Sequence, residues 1–245
     1  MKNMDRRGFM GLAGAAATAG LWLPGALEPL ESAEAASAKP KYPSGILWGL
    51  PGKTHNIAWT VDDGFGETAL HNYIDFAANT GTRLTFFITS NYRAWRTMRR
   101  HLLPLVVTGQ VQLGNHTKSH PDLTKLSAAG VRRELTECEK FIRGEFGVNP
   151  APIFRPPYGF YNDQVRQVAA SIGYRTTVMW FGSLGDGGGV TNRTRLKLAD
   201  KWMTANKIVI AHANSVTPPA DLLKIGRIIS SRGLNTVTLD DIWRK

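Results

Sequence analysis

From residue 56 to residue 239, short apolar runs alternate with longer stretches of helical periodicity. The runs Asn56–Val61, Leu84–Ile88, Val111–Gly114, Pro152–Phe154, Arg175–Trp180, Ile208–Ala211 and Thr236–Leu239 predict seven strands. Between them, Glu67–Asn79 reads as helix, with apolar Leu70, Ile74, Phe76 and Ala77, and stops at Gly81. Ala94–Val107 contains helix, interrupted or restarted at Pro104. Ser127 opens a helix that ends at Gly147. Asn162–Ser171 (Gly173 beyond its end), Thr194–Ala205 and Ala220–Arg232 (ended by Gly233) complete the helices.

Strands separated by helices imply βα units and a parallel sheet, and strands this apolar are expected to be buried on both faces. The preceding stretch, Lys39–Lys53, is punctuated by Pro40, Pro43, Gly45, Gly49, Pro51 and Gly52 and reads as a linker or extended lead-in. No sequence repeat suggests a solenoid. The expected domain organisation is a leader over 1–38, a lead-in over 39–55 and one catalytic domain over 56–245.

The leader is read from Arg6-Arg7-Gly8-Phe9-Met10, the apolar stretch Gly11 to Pro24, and the small residues around Ala33-Glu34-Ala35 and Ala36-Ser37-Ala38. This resembles an export signal of the twin-arginine type. An apolar run of about 14 residues falls short of the ~20 needed to span a bilayer. The run holds no cysteine to carry a lipid. The expectation is therefore export to the periplasm, cell wall or extracellular space without a stable membrane anchor.

Composition adds two constraints. Hydrophobic residues at 42% and charged residues at 20% describe a globular chain long enough for a sizeable core. The net charge is +11; the leader contributes −1, so the remainder carries +12 and suits an anionic surrounding such as a cell wall. No long Lys/Arg run or nucleic-acid motif appears, and nucleic acid is not an expected partner. The single cysteine, Cys138, excludes an intrachain disulfide and reads as a buried thiol inside a helix.

Candidate chemistry falls just after strand ends, where α/β barrel enzymes keep their sites. His116-Thr117-Lys118-Ser119-His120 places two imidazoles four apart, on one face if the segment winds into a helical turn. With a carboxylate from Asp62-Asp63 they make a three-ligand site with an open position, the arrangement of a catalytic metal. Alternation along the strand gives the two aspartates distinct jobs, one as ligand and one as base. The His-x-x-x-His spacing lacks the glutamate of zinc proteases, so a base must come from elsewhere. Arg155-Pro156-Pro157-Tyr158-Gly159 forms a stiff loop whose guanidinium can orient a carboxylate. His212, at the end of an apolar strand, can serve as an acid.

Taken in order, TVDDG at 60–64, TFF at 85–87, GNHTKSHPDL at 114–123, FRPPYG at 154–159 and IAH at 210–212 resemble the polysaccharide deacetylase family, the NodB homology domain of carbohydrate esterase family 4. The resemblance covers roughly Ile57 to Leu239. It implies an α/β fold, a distorted (β/α) barrel of about seven parallel strands, and metal-dependent removal of N- or O-acetyl groups from a carbohydrate. It also implies that Asp63, His116 and His120 hold a divalent metal, zinc in the first instance, with cobalt, nickel or another divalent ion open. By the same resemblance Asp62 is the general base, Arg155 orients it, the Tyr158 backbone N–H stabilises the oxyanion, and His212 protonates the leaving group. Peptidoglycan or another N-acetylglucosamine polymer is the favoured substrate. An acetylxylan esterase and a carbohydrate-binding pseudoenzyme are the alternatives.

Two departures stand out. The family has an Asp-Trp element that supplies an aspartate near the arginine and an apolar wall for the acetyl methyl. Here Asp186 is followed by Gly187-Gly188-Gly189, leaving Trp180, Phe181 and Leu184 as candidate replacements for the wall. Phe65 stands after Asp-Asp-Gly, where proline is common.

Overall fold

The computed structural model describes residues 39–245. The export signal expected over 1–38 lies outside the described residues. The strands are β1 (Gly45–Leu47), β2 (Asn56–Asp63), β3 (Leu84–Ile88), β4 (Val111–Asn115), β5 (Ile153–Phe154), β6 (Thr176–Val178), β7 (Gly182–Ser183), β8 (Ile208–His212) and β9 (Asn235–Thr236). They pair in the order β1-β6-β5-β4-β3-β2-β8-β7, with β9 added to the start of β2, and every pairing between named strands is parallel. This is the distorted barrel expected: a curled parallel sheet with helices between its strands, its ends β1 and β7 unpaired with each other.

The helices are α1 (Glu67–Thr80), α2 (Ala94–Thr97), α3 (Arg99–Val107), α4 (Ala128–Phe146), α5 (Asp163–Ser171), α6 (Asn192–Trp202), α7 (Pro219–Ser231) and α8 (Leu239–Ile242). Their ends follow local chemistry. The Ser127 hydroxyl accepts from the Gly130 N–H at the start of α4, Asn162 does the same for Val165 in α5, and Thr191 for Thr194 in α6. Gly81 and Gly147 end α1 and α4 in the left-handed region. Every residue of β3 and β4 is buried, as double-faced burial requires. The main core packs β2, β3, β4 and β8 against α1, α4 and α7 through residues such as Trp59, Leu70, Phe86, Cys138, Val209 and Ile225. The Cys138 Sγ lies 3.2 Å from the Ile88 carbonyl, and burial pushes its thiol up to about 12.

The structure refines the sequence expectations in four places. The stretch read as a linker or extended lead-in packs on the domain: it carries β1, bridges to Arg244 and Lys207, and buries Tyr42 against Trp243. Three residues between prolines and glycines are too few to show a period, and pairing with β6 makes the strand. The glycine-rich stretch after Trp180 contains β7, which exists only through its pairing with β8. The last predicted strand stops at Thr236, and Thr238 opens α8 with a reciprocal capping box to Asp241. The break in the second expected helical segment, Ala94–Val107, falls at Met98, not Pro104. Pro104 lies on the exposed face of α3, where water can satisfy the carbonyl that the missing N–H leaves unbonded.

Candidate active site

Register places the candidate groups at one level. Asp62 of β2 is the Cα partner of His212 of β8 and of Phe87 of β3. Phe87 pairs with Gly114 of β4, and the next residue, Asn115, pairs with Phe154 of β5. The carboxyl ends of β2, β4, β5 and β8 therefore deliver Asp62, Asp63, His116, Arg155 and His212 to one mouth. All seven residues singled out in the sequence gather there. A cleft of about 260 Å³ is lined by Asp62, Asp63, His116, His120, Tyr158 and His212, and Arg155 lies buried behind Asp62.

At the end of β2, Asp63 adopts φ 73°, and so do not only turn glycines: Thr117 (73°), His120 (61°) and Tyr158 (61°) are also left-handed. Four of the five non-glycine residues with positive φ among the described residues thus stand in this mouth. Such backbones cost of order 1–3 kcal/mol each and persist where surrounding contacts over-determine them. Here the Trp95 indole donates to the Asp63 carbonyl (2.8 Å), and the Asn115 side chain accepts from the Thr117 N–H (2.9 Å). Gly64 permits the first contact, because a Cβ there would lie 2.4 Å from the Trp95 ring.

The histidine segment does not form the helical turn that its spacing allowed. It is a loop after β4, anchored by Asn115, by Thr117 Oγ1 accepting from the His120 N–H, and by Glu134 accepting from the Ser119 N–H and hydroxyl. The loop still brings the rings together, with centroids 5.0 Å apart. His116 Nδ1 lies 2.7 Å from the Arg155 carbonyl, which can only accept, so Nδ1 carries the proton and Nε2 presents a lone pair. Asp63 Oδ1 lies 3.3 Å from His116 Nε2 and 3.0 Å from His120 Nε2. Ligating atoms of the three residues all fall within 4.8 Å of one another. That oxygen is buried with no hydrogen-bond partner among the described residues, while Asn214 Nδ2 holds the other carboxylate oxygen at 2.6 Å. An orphaned buried carboxylate oxygen between two imidazole nitrogens fits a divalent cation. Burial alone would raise the Asp63 carboxyl, but His116 and His120 outweigh it and hold it well below the usual range. Burial depresses His116, and the charges of Asp62 and Asp63 more than reverse this.

Arg155 is fully buried. Its Nη1 donates to Asp62 Oδ1 (2.6 Å) and Thr60 Oγ1 (2.9 Å), Nε to the Val178 carbonyl (3.1 Å) and Nη2 to the Met179 carbonyl (3.2 Å). The guanidinium lies 4.2 Å from the Phe87 ring centroid and 5.6 Å from that of Trp180. Burial lowers its pKa, and Asp62 opposes that shift. The pair ties up Oδ1 of Asp62 and leaves Oδ2 facing the cradle, 3.6 Å from His116 Nε2.

The aspartate that the resemblance put near the arginine sits elsewhere. Asp186, fully buried, accepts from His212 Nδ1 at 3.1 Å, with Arg195 4.0 Å from its other oxygen. Arg155 is supported instead by Thr60 and two carbonyls. Burial lowers the His212 pKa, but the Asp186 hydrogen bond and the charges of Asp62, Asp186 and Asp63 raise it overall. Of the candidate wall residues, Trp180 lines the cleft, whereas Phe181 turns out to Lys207 and Trp202 and Leu184 enters the core. The Tyr158 N–H has no protein acceptor among the described residues, and the Tyr158 ring packs on His120 at 4.6 Å.

Thr60, Asn115, Asn214 and Arg195 escaped the sequence reading. Asn115 stands inside the GNHTKSHPDL motif, directly before His116, and that adjacency is the signal that could have found it. Arg195, on α6, gave no signal beyond being one more surface-type cation.

The polysaccharide deacetylase family model matches residues 50–177. A peptidoglycan-N-acetylglucosamine deacetylase of Bacillus cereus is 31% identical over 135 residues, covering 55% of this chain and 61% of the relative. The chain thus spans less than two thirds of that relative's length. In fold it is similar to the chitin deacetylase of Colletotrichum lindemuthianum (TM-score 0.71, 22% identity, 82% of this chain and 93% of that one). It is equally similar to a family 4 carbohydrate-esterase pseudoenzyme of Bacillus anthracis (TM-score 0.71, 18% identity, 82% and 69%). A family match over just over half of the chain, coinciding with the strands that carry the aspartates, the histidines and Arg155, makes this chain a member of the polysaccharide deacetylase family.

Proposed function

We propose that the chain is an exported, divalent-metal-dependent hydrolase that removes acetyl groups from a carbohydrate polymer of the cell envelope, with peptidoglycan or another N-acetylglucosamine polymer as substrate. One observation carries the reading. The Asp63, His116 and His120 ligand atoms cluster within 4.8 Å, next to an Asp62 carboxylate already held by Arg155. The net charge of +12 beyond residue 38 and the peptidoglycan-deacetylating relative support an anionic wall polymer.

Asp63, His116 and His120 would hold the metal, and zinc suits two nitrogens and an oxygen. When bound, a divalent ion supplies Lewis acidity and lowers the pKa of water towards neutrality. Asp62 Oδ2 takes a proton from the attacking water, whose oxygen forms the new bond to the acetyl carbon. Arg155 keeps that carboxylate aimed by fixing Oδ1. The Tyr158 N–H, without an acceptor among the described residues, donates to the carbonyl oxygen as negative charge builds there. His212, its Nδ1–H held by Asp186, gives the Nε2 proton to the leaving nitrogen or oxygen as the C–N or C–O bond breaks. Acetate and the free amine or hydroxyl remain. Trp180 offers an apolar surface to the methyl group.

The test is acetate release from peptidoglycan, chitin oligomers and acetylated xylan, with zinc, cobalt or chelator, comparing wild type with Asp62→Asn. Metal-dependent release lost in the variant supports the reading and selects the polymer; preference for xylan makes it an acetylxylan esterase. No release by metal-loaded protein from any of them overturns it and leaves carbohydrate binding without turnover.

A further inference from the structure

The mouth of the cleft has two unlike banks. On one, after β2, β3 and β5, stand four aromatic rings: Phe65, Tyr92, Tyr158 and Phe160. On the other, Gly187-Gly188-Gly189 presents bare backbone, with Gly187 so close to His212 that a Cβ would lie 3.0 Å from the imidazole. None of the four aromatic side chains has a part in the chemistry above.

Phe65 is 68% exposed, Tyr158 59% and Phe160 54%. Leaving a phenyl ring that open forgoes most of what its burial would contribute to folding, and exposed apolar surface beside a cleft marks a binding surface. The rings are not scattered. Phe65 meets Tyr92 edge-on, centroids 5.3 Å apart. Tyr158 packs on His120 and tilts by 39° against Phe160 at 5.8 Å. These two pairs make up the aromatic arc of this bank, and the second packs directly on His120 of the metal cradle.

We infer that this arc is a platform for the sugar rings flanking the acetylated unit, so that Phe65 and Phe160 set a preference for long glycan chains over short ones. A pyranose has an apolar face of C–H bonds and a hydroxyl-bearing edge. It therefore suits an exposed aromatic ring bordered by a polar group, here His120 beside Tyr158. Continuity with the cleft fixes the occupant, because the Tyr158 ring lines the cleft while packing on both His120 and Phe160. On the opposite bank Gly187-Gly188-Gly189 carry no side chains, so a polymer meets bare backbone there. For its substrate the inference rests on the deacetylase reading.

The experiment compares kcat/KM for N-acetylglucosamine hexamer and dimer in wild type, Phe65→Ala, Phe160→Ala and the double variant. Calorimetric binding of the same oligomers is measured to each of them in an Asp62→Asn background. The hexamer-to-dimer ratio is expected to fall about two- to tenfold for each ring removed, through KM rather than kcat. Phe65→Tyr and Phe160→Tyr should restore it, which a merely structural role would not require. A ratio unchanged in the double variant, in both turnover and binding, overturns the inference while leaving the deacetylase reading intact. Chain-length-dependent binding that is lost in the double variant, without acetate release by wild type, upholds the platform and overturns the deacetylase reading.

Discussion

The carboxylate of Asp186 holds the Nδ1–H of His212 at 3.1 Å from a position with no solvent exposure. That contact fixes the ring's tautomer and keeps Nε2 towards the cleft. It also raises the His212 pKa, so the protonated form, the one able to donate, persists to higher pH than for a free histidine. Asp186→Asn removes the charge but keeps the shape. The alkaline limb of the kcat profile should therefore move to lower pH. His212→Ala should lose about 10²–10⁴-fold in kcat on natural substrate. An alkaline limb that stays in place in Asp186→Asn would remove the electrostatic role.

Arg155 is a buried cation whose only opposite charge in hydrogen-bonding contact, among the described residues, is Asp62. Taking away either partner leaves the other uncompensated. Arg155→Met should lower stability by about 3–5 kcal/mol in denaturant titrations, as breaking a buried pair does. It should also lose activity. Asp62→Asn is the milder change, since the amide oxygen can still accept from Nη1. It should lose about 10²–10⁴-fold in turnover with little change in metal content by elemental analysis. A full-activity Asp62→Asn enzyme would falsify its role as base.

The cradle makes its own prediction. His116→Ala, His120→Ala and Asp63→Asn should each abolish stoichiometric zinc or cobalt uptake. In wild type, free metal at 100 times its Kd should stabilise the fold by about 2.7 kcal/mol, read as a rise in Tm that chelator reverses. Asn214→Ala should weaken uptake without abolishing it, because Asn214 aims the Asp63 carboxylate rather than contributing a ligand. Metal-independent Tm in the wild-type protein would count against the site.

Cys138 is fully buried and its thiol is pushed up to about 12. Below that pH the thiolate is scarce as well as inaccessible. A thiol reagent at pH 8 should label native protein only as fast as it unfolds, and denatured protein at once. Cys138→Ala should leave turnover within about twofold and cost around 1 kcal/mol through the small cavity it creates. Rapid labelling of folded enzyme would show that the helix carrying it opens locally.

What the sequence determined by itself is local. Strands β2, β3, β4 and β8 and helices α1, α4, α5 and α7 were legible within a residue or two, because their apolar patterns, caps and terminal glycines lie within a few residues of one another. The seven candidate site residues were legible because their motifs are short and sit at strand ends. Tertiary structure decided what depends on distant partners. β1 and β7 are two- or three-residue strands that exist through pairing with β6 and β8. The histidine segment is a left-handed loop and not a helical turn because Asn115, Thr117 and Glu134 fix its backbone. Asp186 serves His212 and not Arg155 because the chain around β7 lays it beside the end of β8, a closeness that no spacing along the sequence encodes.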